Sequence, residues 1–222
     1  MIVKNIKNVS KEGKNLLTSA FLATNIFGNT LNAQTFSGSI ESAASSENIT
    51  FDTILSLDLS NKINFFTRNR TTFDYQSGEG KPFTLVDLSY NWNNGLGILS
   101  ETQFSNNGEV DQRLGLQYFK KIGHLSIYVE GTVSAFNGLN TEALAKLRYS
   151  QPIKEKLEGI IQVETITDLN TQRITFATQR YRTGIGVGKN FEFGVAVDMT
   201  EIPLKKKVNI EHTFGGYITY KF

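Results

Sequence analysis

The chain has no cysteine, three prolines and two histidines in 222 residues. The lack of cysteine excludes a disulfide scaffold, a thiolate zinc site, a cysteine nucleophile and a cysteine-anchored lipoprotein. The histidines, His124 and His212, stand too far apart in sequence to suggest a metal centre. A surplus of charge is also missing. Against 23 basic residues stand 21 acidic ones, which leaves no electrostatic footprint for nucleic acid. No apolar run is long enough to cross a bilayer as a helix. What remains is aromatic and only moderately charged, which argues for a folded chain, and its length suits one domain.

The first residues differ from the rest. Lys4, Lys7, Lys11 and Lys14 precede the apolar run Leu16-Leu17-Thr18-Ser19-Ala20-Phe21-Leu22-Ala23, and the segment ends on Leu31-Asn32-Ala33-Gln34. A cationic start, a short greasy middle and a small residue at the end are the parts of a secretory signal peptide, so residues 1–33 are expected to be removed. An amphipathic helix of the mature fold would need a polar face that this run lacks. Removal takes away four Lys and one Glu, leaving 19 basic and 20 acidic residues in 34–222.

Beyond Ala33 the pattern has a period of two. Phe191, Phe193, Val195, Val197 and Met199 alternate with Glu192, Gly194, Ala196, Asp198 and Thr200, and 210–222 alternates likewise. Such alternation gives a strand one apolar and one polar face. Strands are expected at 51–60, 63–74, 83–92, 96–104, 112–120, 123–136, 141–150, 156–167, 172–188, 191–200 and 210–222, with a weaker one over 35–44. Thr141 to Arg148 would also suit a helix.

Tight connections alternate with longer ones. The tight set is Asn61-Lys62, Asn93 to Gly95, Lys121-Ile122, Gln151 to Glu155 and Lys189-Asn190. The longer set is Tyr75 to Pro82, Ser105 to Asp111, Asn137 to Asn140, Asp168 to Thr171 and Glu201 to Lys207. A meander with two distinguishable ends produces this order, and transmembrane barrels have it. Parity then requires 35–44 as a strand and gives twelve. The predicted fold is an all-β, up-and-down antiparallel transmembrane β-barrel over 34–222. Trp92, Tyr90, Tyr118, Tyr149, Phe191, Tyr220 and Phe222 fall near tight turns, and Phe73, Phe83, Phe104 and Phe136 near longer loops, as two interfacial bands would. A soluble β-sandwich would share the alternation, but not the leader, the turn parity and the aromatic end together.

Gly216, Ile218, Tyr220 and terminal Phe222 stand at two-residue spacing. Here the chain resembles the outer-membrane β-barrel proteins of Gram-negative bacteria, and the small twelve-stranded, porin-like channels are similar in size. The resemblance implies that these four residues act as the assembly signal read by the barrel-insertion machinery. It also implies contact with outer-membrane lipid and lipopolysaccharide, and a place in the outer membrane.

If the apolar set faces lipid, the alternate set lines a lumen. That set contains Asp52, Asp58, Arg68, Arg70, Asp74, Asp87, Glu101, Gln103, Arg113, Gln117, Glu130, Glu142, Lys146, Arg148, Glu158, Gln162, Glu164, Arg180, Arg182, Glu192, Asp198, Glu211 and Lys221. Charges on the lipid face cost about 2–4 kcal/mol at mid-bilayer, so their shared parity supports the barrel. Gln179 and Arg173 break the phase of 172–188, which suggests a bulge. The expected function is a small porin, a channel for passive diffusion of small polar or charged solutes. Arg68, Arg70, Arg113, Arg148, Arg180 and Arg182 would offer guanidinium forks to carboxylate or phosphate, opposite Asp87, Glu101, Glu130, Lys146 and Glu164. Gly184, Gly186, Gly194, Ala196 and Gly215 would leave space. The alternative is a non-conducting barrel, its lumen plugged by ion pairs, that serves as a partner subunit in an outer-membrane assembly.

Catalysis has weaker support. His124-Leu125-Ser126 with Glu130 superficially resembles a lipid-hydrolase pair on a strand, but the segment lies at a tight turn and is expected to be a hydrated lumen histidine. Gly184-Ile185-Gly186-Val187-Gly188 lacks the strand-turn-helix setting of a phosphate loop. Lys205-Lys206-Lys207 is a basic run on an outer loop. No cofactor or metal is expected.

Overall fold

The computed structural model describes residues 35–106, 108–135, 140–170, 173–203 and 208–222. The expected leader 1–33, Phe136 and Lys205-Lys206-Lys207 lie outside them. Twelve strands follow in chain order: β1 (Thr35–Ser45), β2 (Asn48–Asp58), β3 (Ile63–Asp74), β4 (Gly80–Asn91), β5 (Leu96–Phe104) and β6 (Val110–Ile122). The second half continues with β7 (Leu125–Ser134), β8 (Thr141–Lys154), β9 (Leu157–Asn170), β10 (Arg173–Val187), β11 (Phe191–Pro203) and β12 (Val208–Lys221). Each strand pairs antiparallel with its sequence neighbours, and β1 pairs with β12, so the sheet closes into a barrel without an edge. Thr141 to Arg148 lies wholly in strand β8, because its alternate residues Glu142, Lys146 and Arg148 have partners inside the barrel.

The exterior is inverted relative to a soluble protein. Leu88, Ile98, Leu114, Leu116, Ile161, Phe193, Phe214 and Ile218 all point outward, and Leu116 and Phe214 are each 65% exposed. An apolar belt of this extent is stable against hydrocarbon and not against water. The polar set lies inside, where Asp52, Arg68, Asp87, Glu101, Arg113, Glu130, Glu164, Arg180 and Arg182 are buried.

The seam is made by the last residues of the chain. Phe222 and Gly38 exchange both backbone hydrogen bonds, at 3.0 and 3.1 Å. Outside the seam, Phe222 packs on Phe36 at 5.9 Å and on Tyr220 at 6.1 Å, and Tyr220 packs on Phe191 at 5.1 Å. Inside, a Cβ on Gly215 would stand 1.9 Å from the Ala44 carbonyl oxygen, so the β1–β12 approach requires glycine there.

Both barrel termini lie at one end, with the connections 59–62, 92–95, 123–124, 155–156 and 188–190. Gly95 (φ 91°) and Gly123 (φ 57°) adopt the left-handed backbone that such tight turns need. Most connections at the other end are shorter than the sequence suggested, the one between Ser134 and Thr141 being the exception. Strand pairing carries β9 to Asn170 and β11 to Pro203, and β1 joins β2 through 46–47. The ladder thus takes up residues that polarity alone assigned to loops. The register of β10 on β9 shifts between Ile174 and Phe176, the irregularity that the broken phase required. Gln179 stays outside, where it accepts a hydrogen bond from Tyr181 Oη at 2.6 Å.

Candidate functional site

The lumen is built from the inward positions of all twelve strands. The charged residues sort into two walls. The first runs from β9 through the seam to β3. On it most charged cross-strand partners carry opposite charge: Asp52 faces Arg70, and Arg180 faces Glu164 on one side and Asp198 on the other. Glu41 faces Asp52, a like-charge pair, but arginines reach both acids. Arg68 Nη2 lies 2.6 Å from Asp52 and 3.1 Å from Glu164, and Arg70 Nη2 lies 2.8 Å from Asp52. Arg180 Nη1 reaches Asp52 and Glu164, both at 3.3 Å. Arg182 holds Asp198 at 2.5 Å and Glu41 at 3.3 Å. Lys146 on β8 adds a contact to Glu164 at 3.8 Å.

This lattice has a consequence for passage. Arg68 is on β3 and Glu164 on β9, six strands apart in a closed ring of twelve. Their ion pair therefore crosses the lumen from wall to wall. Below it, toward the end with the barrel termini, opens a cavity of about 850 Å³. Asp58, Asn64, Lys120 and Lys121 line its mouth, Ile54, Phe66, Leu85 and Leu144 line its flank, and Arg68, Lys146 and Glu164 close it. Charged groups excluded from water in this way persist because each is paired and hydrogen-bonded.

The second wall runs over β4 to β8 and is acidic. Asp87 on β4 stands directly opposite Glu101 on β5, a like-charge pair. Glu130 on β7 and Glu142 on β8 add to it. Arg113 is the arginine that reaches this group, and it lies 2.8 Å from Asp111 and 4.0 Å from Glu101. Gln103 Nε2 donates to Glu101 at 2.7 Å and to Glu142 at 3.3 Å, and Tyr128 Oη donates to Glu130.

The eleven lumen candidates of the sequence thus fall in three places. Arg68, Arg70, Lys146, Glu164, Arg180 and Arg182 share the lattice. Asp87, Glu101, Arg113 and Glu130 share the acidic wall. Arg148 stands apart and pairs with Glu192, which also meets Lys221. The six arginines do not form one ladder of free forks, since each is engaged by carboxylates of the chain. Space near the carboxyl end is also less than the glycines suggested. The Tyr217 ring occupies the notch at Gly184, its Oη 2.8 Å from where a Cβ would stand, and Glu158 fills the place at Gly186. The Arg182 guanidinium lies 5.9 Å from the centre of the Tyr217 ring.

Some partners were not apparent from sequence. Glu41 sits on the weakest predicted strand, where no face could be assigned. Tyr128 and the inward apolar residues Phe66, Leu85 and Leu144 break the simple rule of polar inside. Phe83 pairs with Arg70 and shares the inward parity of Asp87, so it belongs to the lumen and not to an outer aromatic band. His124 lies in the β6–β7 turn with its ring edge-on to Tyr149 at 6.3 Å. Among the described residues no hydrogen bond joins it to Ser126 or Glu130, so the two groups a hydrolase would couple are not coupled here.

No family model matches the chain, and no curated protein matches it. Solved structures do. The KdgM porin is 14% identical with a TM-score of 0.53, over 84% of this chain and 99% of that one. KdgM porin in complex with disordered oligogalacturonate is 15% identical with a TM-score of 0.52, over 84% and 99%. LpxR from Salmonella typhimurium is 12% identical with a TM-score of 0.46, over 83% and 99%. The chain has the closed twelve-stranded, porin-like barrel fold.

Proposed function

We propose that the protein is an outer-membrane channel for passive diffusion of small polar or charged solutes, narrowed at mid-barrel by the arginine–carboxylate lattice. The observation that carries this is a polar lumen inside an apolar exterior, entered by a cavity of about 850 Å³ that ends on the lattice. Arg68, Arg70, Arg180 and Arg182 would exchange a protein carboxylate for one on the solute, since a guanidinium fork fits either. A fold neighbour solved with oligogalacturonate makes acidic oligosaccharides natural first solutes to test. Near balance of charge in the lumen predicts weak ion selectivity.

In this reading residues 1–33 direct export. The strand ending Gly216, Ile218, Tyr220 and Phe222 is the signal to the insertion machinery. The end with the barrel termini faces the periplasm and the other end faces lipopolysaccharide, as in the outer membrane of a Gram-negative bacterium. The role is transport and not catalysis, in keeping with the uncoupled His124 and Ser126. The test is single-channel recording of the folded barrel in a planar bilayer. Stable steps are expected. Silence from protein whose barrel is verified by heat-dependent gel migration would overturn the channel and leave a closed barrel acting as a partner subunit.

A further inference from the structure

The acidic wall is not explained by diffusion alone. Asp87, Glu101 and Glu130 each bring a carboxylate oxygen within 4.8 Å of the others. All three are buried, and Glu101 is 0% exposed. Such a group of acids proves nothing by itself, but two of its oxygens have no partner. Asp87 Oδ1 and Glu101 Oε2 are buried without a hydrogen bond. Asp87 makes no hydrogen bond or ion pair among the described residues, although it is only 7% exposed. A buried carboxylate with neither a donor nor a counter-charge is costly, and so is a like-charge pair directly across a ladder.

The surroundings do not supply the missing charge. Arg113 is the cation that reaches the trio, and it lies closer to Asp111 (2.8 Å) than to Glu101 (4.0 Å), while Lys146 and Arg148 on β8 pair with Glu164 and Glu192. Gln103 satisfies Oε1 of Glu101, not Oε2. Tyr128 orients Glu130 by hydrogen bonding to it. The ligand set is therefore all oxygen, rich in carboxylate and fixed on three strands of a rigid sheet. It is also accessible, because Asp87, Tyr128 and Glu130 line the cavity.

We propose that Asp87, Glu101 and Glu130 form a divalent-cation site in the lumen wall, with calcium as its ion. Oxygen-only donors select a hard cation. Calcium suits three carboxylates of mixed denticity, with water from the cavity completing its shell, better than magnesium with its strict octahedron. Two positive charges from the ion would offset most of the charge of the three carboxylates, with Arg113, shared with Asp111, contributing the rest. The ion would tie β4, β5 and β7 together, as arginines tie the opposite wall. The site would exist whether or not the barrel conducts.

Calcium titration of the folded full-length protein in detergent, by calorimetry, tests this. One ion per chain is expected, with Kd of about 10⁻⁵ to 10⁻³ M. Glu101→Gln and Asp87→Asn should each weaken binding more than about tenfold, a loss that even outer-shell partners of a metal cause. Asp58→Asn, at the cavity mouth, should leave it unchanged. Terbium gives a second readout that needs no variant to fold. Excitation of tyrosine should sensitise emission through Tyr128, and calcium should quench it by competition. Absence of both signals from folded wild-type protein at pH 8 would overturn the site and mean that protons alone relieve the trio. Binding equal in wild type and both variants would overturn it as well.

Discussion

The two walls of the lumen meet the problem of buried charge in opposite ways. From β9 through the seam to β3, Glu41, Asp52, Glu164 and Asp198 each have an arginine within reach, and the pairing continues across the barrel from Arg68 to Glu164. From β4 to β8 the acids are crowded: Asp87 faces Glu101, and Arg113, which faces Glu101 from the other side, also serves Asp111. The sheet geometry is the same on both sides. The difference lies only in which side chains the register brings opposite one another. Asp52 meets Arg70, whereas Asp87 meets Glu101. A neutralised wall can act as a fixed constriction, while an acidic wall calls for an added counter-charge.

The largest expected effect breaks this contrast at its strongest point. Arg68→Ala strips a cation from Asp52 and Glu164 and should lower stability by about 3–5 kcal/mol, the usual cost of unpairing a buried ion pair. Urea unfolding in lipid vesicles, followed by Trp92 fluorescence, measures it. On the opposite wall, Glu101→Gln in divalent-free buffer should cost nothing or stabilise, because it removes like-charge repulsion. Equal destabilisation by both would abolish the distinction between the walls.

Packing sharpens the contrast at a smaller scale. In the arginine wall, a Cβ on Gly184 would stand 2.2 Å from the Phe193 carbonyl oxygen and 2.8 Å from Tyr217 Oη, so Gly184→Ala should cost about 1–3 kcal/mol. On the outer face of β7, behind the acidic wall, a Cβ on Gly131 meets nothing within 4 Å. Gly131→Ala should therefore be neutral or stabilise by about 0.4–1 kcal/mol through the unfolded chain. The same unfolding assay separates the two.

The smallest effect is expected outside both walls. Arg148 and Glu158 lie 3.9 Å apart with Glu158 about one-third exposed, and Glu192 already engages Arg148. Glu158→Gln should change stability by less than about 1 kcal/mol, and added salt should hide the change.

The architecture could be read from sequence because period-two alternation survives in nearly every strand, although the difference in length between the two sets of connections is smaller than the sequence suggested. The site was legible only as a list of inward residues. Polarity assigns Arg68 and Glu164 to the same face of their strands, but it does not reveal that six strands of separation place them across a lumen narrow enough to join. Register decides which charges meet, and register depends on where each ladder begins. The strand carrying Glu41 has Ser, Gly and Ala at most positions, so its faces carry little signal. Gly184 and Gly186 read as empty space because the residues that fill them, Tyr217 and Glu158, belong to other strands.

The central claim is that the arginine–carboxylate lattice is the narrowest point of an open path. The most direct measurement is single-channel conductance of wild type beside Arg68→Ala and Glu164→Gln in symmetric and graded salt. The account predicts small steps in wild type, larger steps in both variants, and a shift of selectivity toward cations in Arg68→Ala. Steps of unchanged size and selectivity in both variants would contradict it and place the constriction elsewhere.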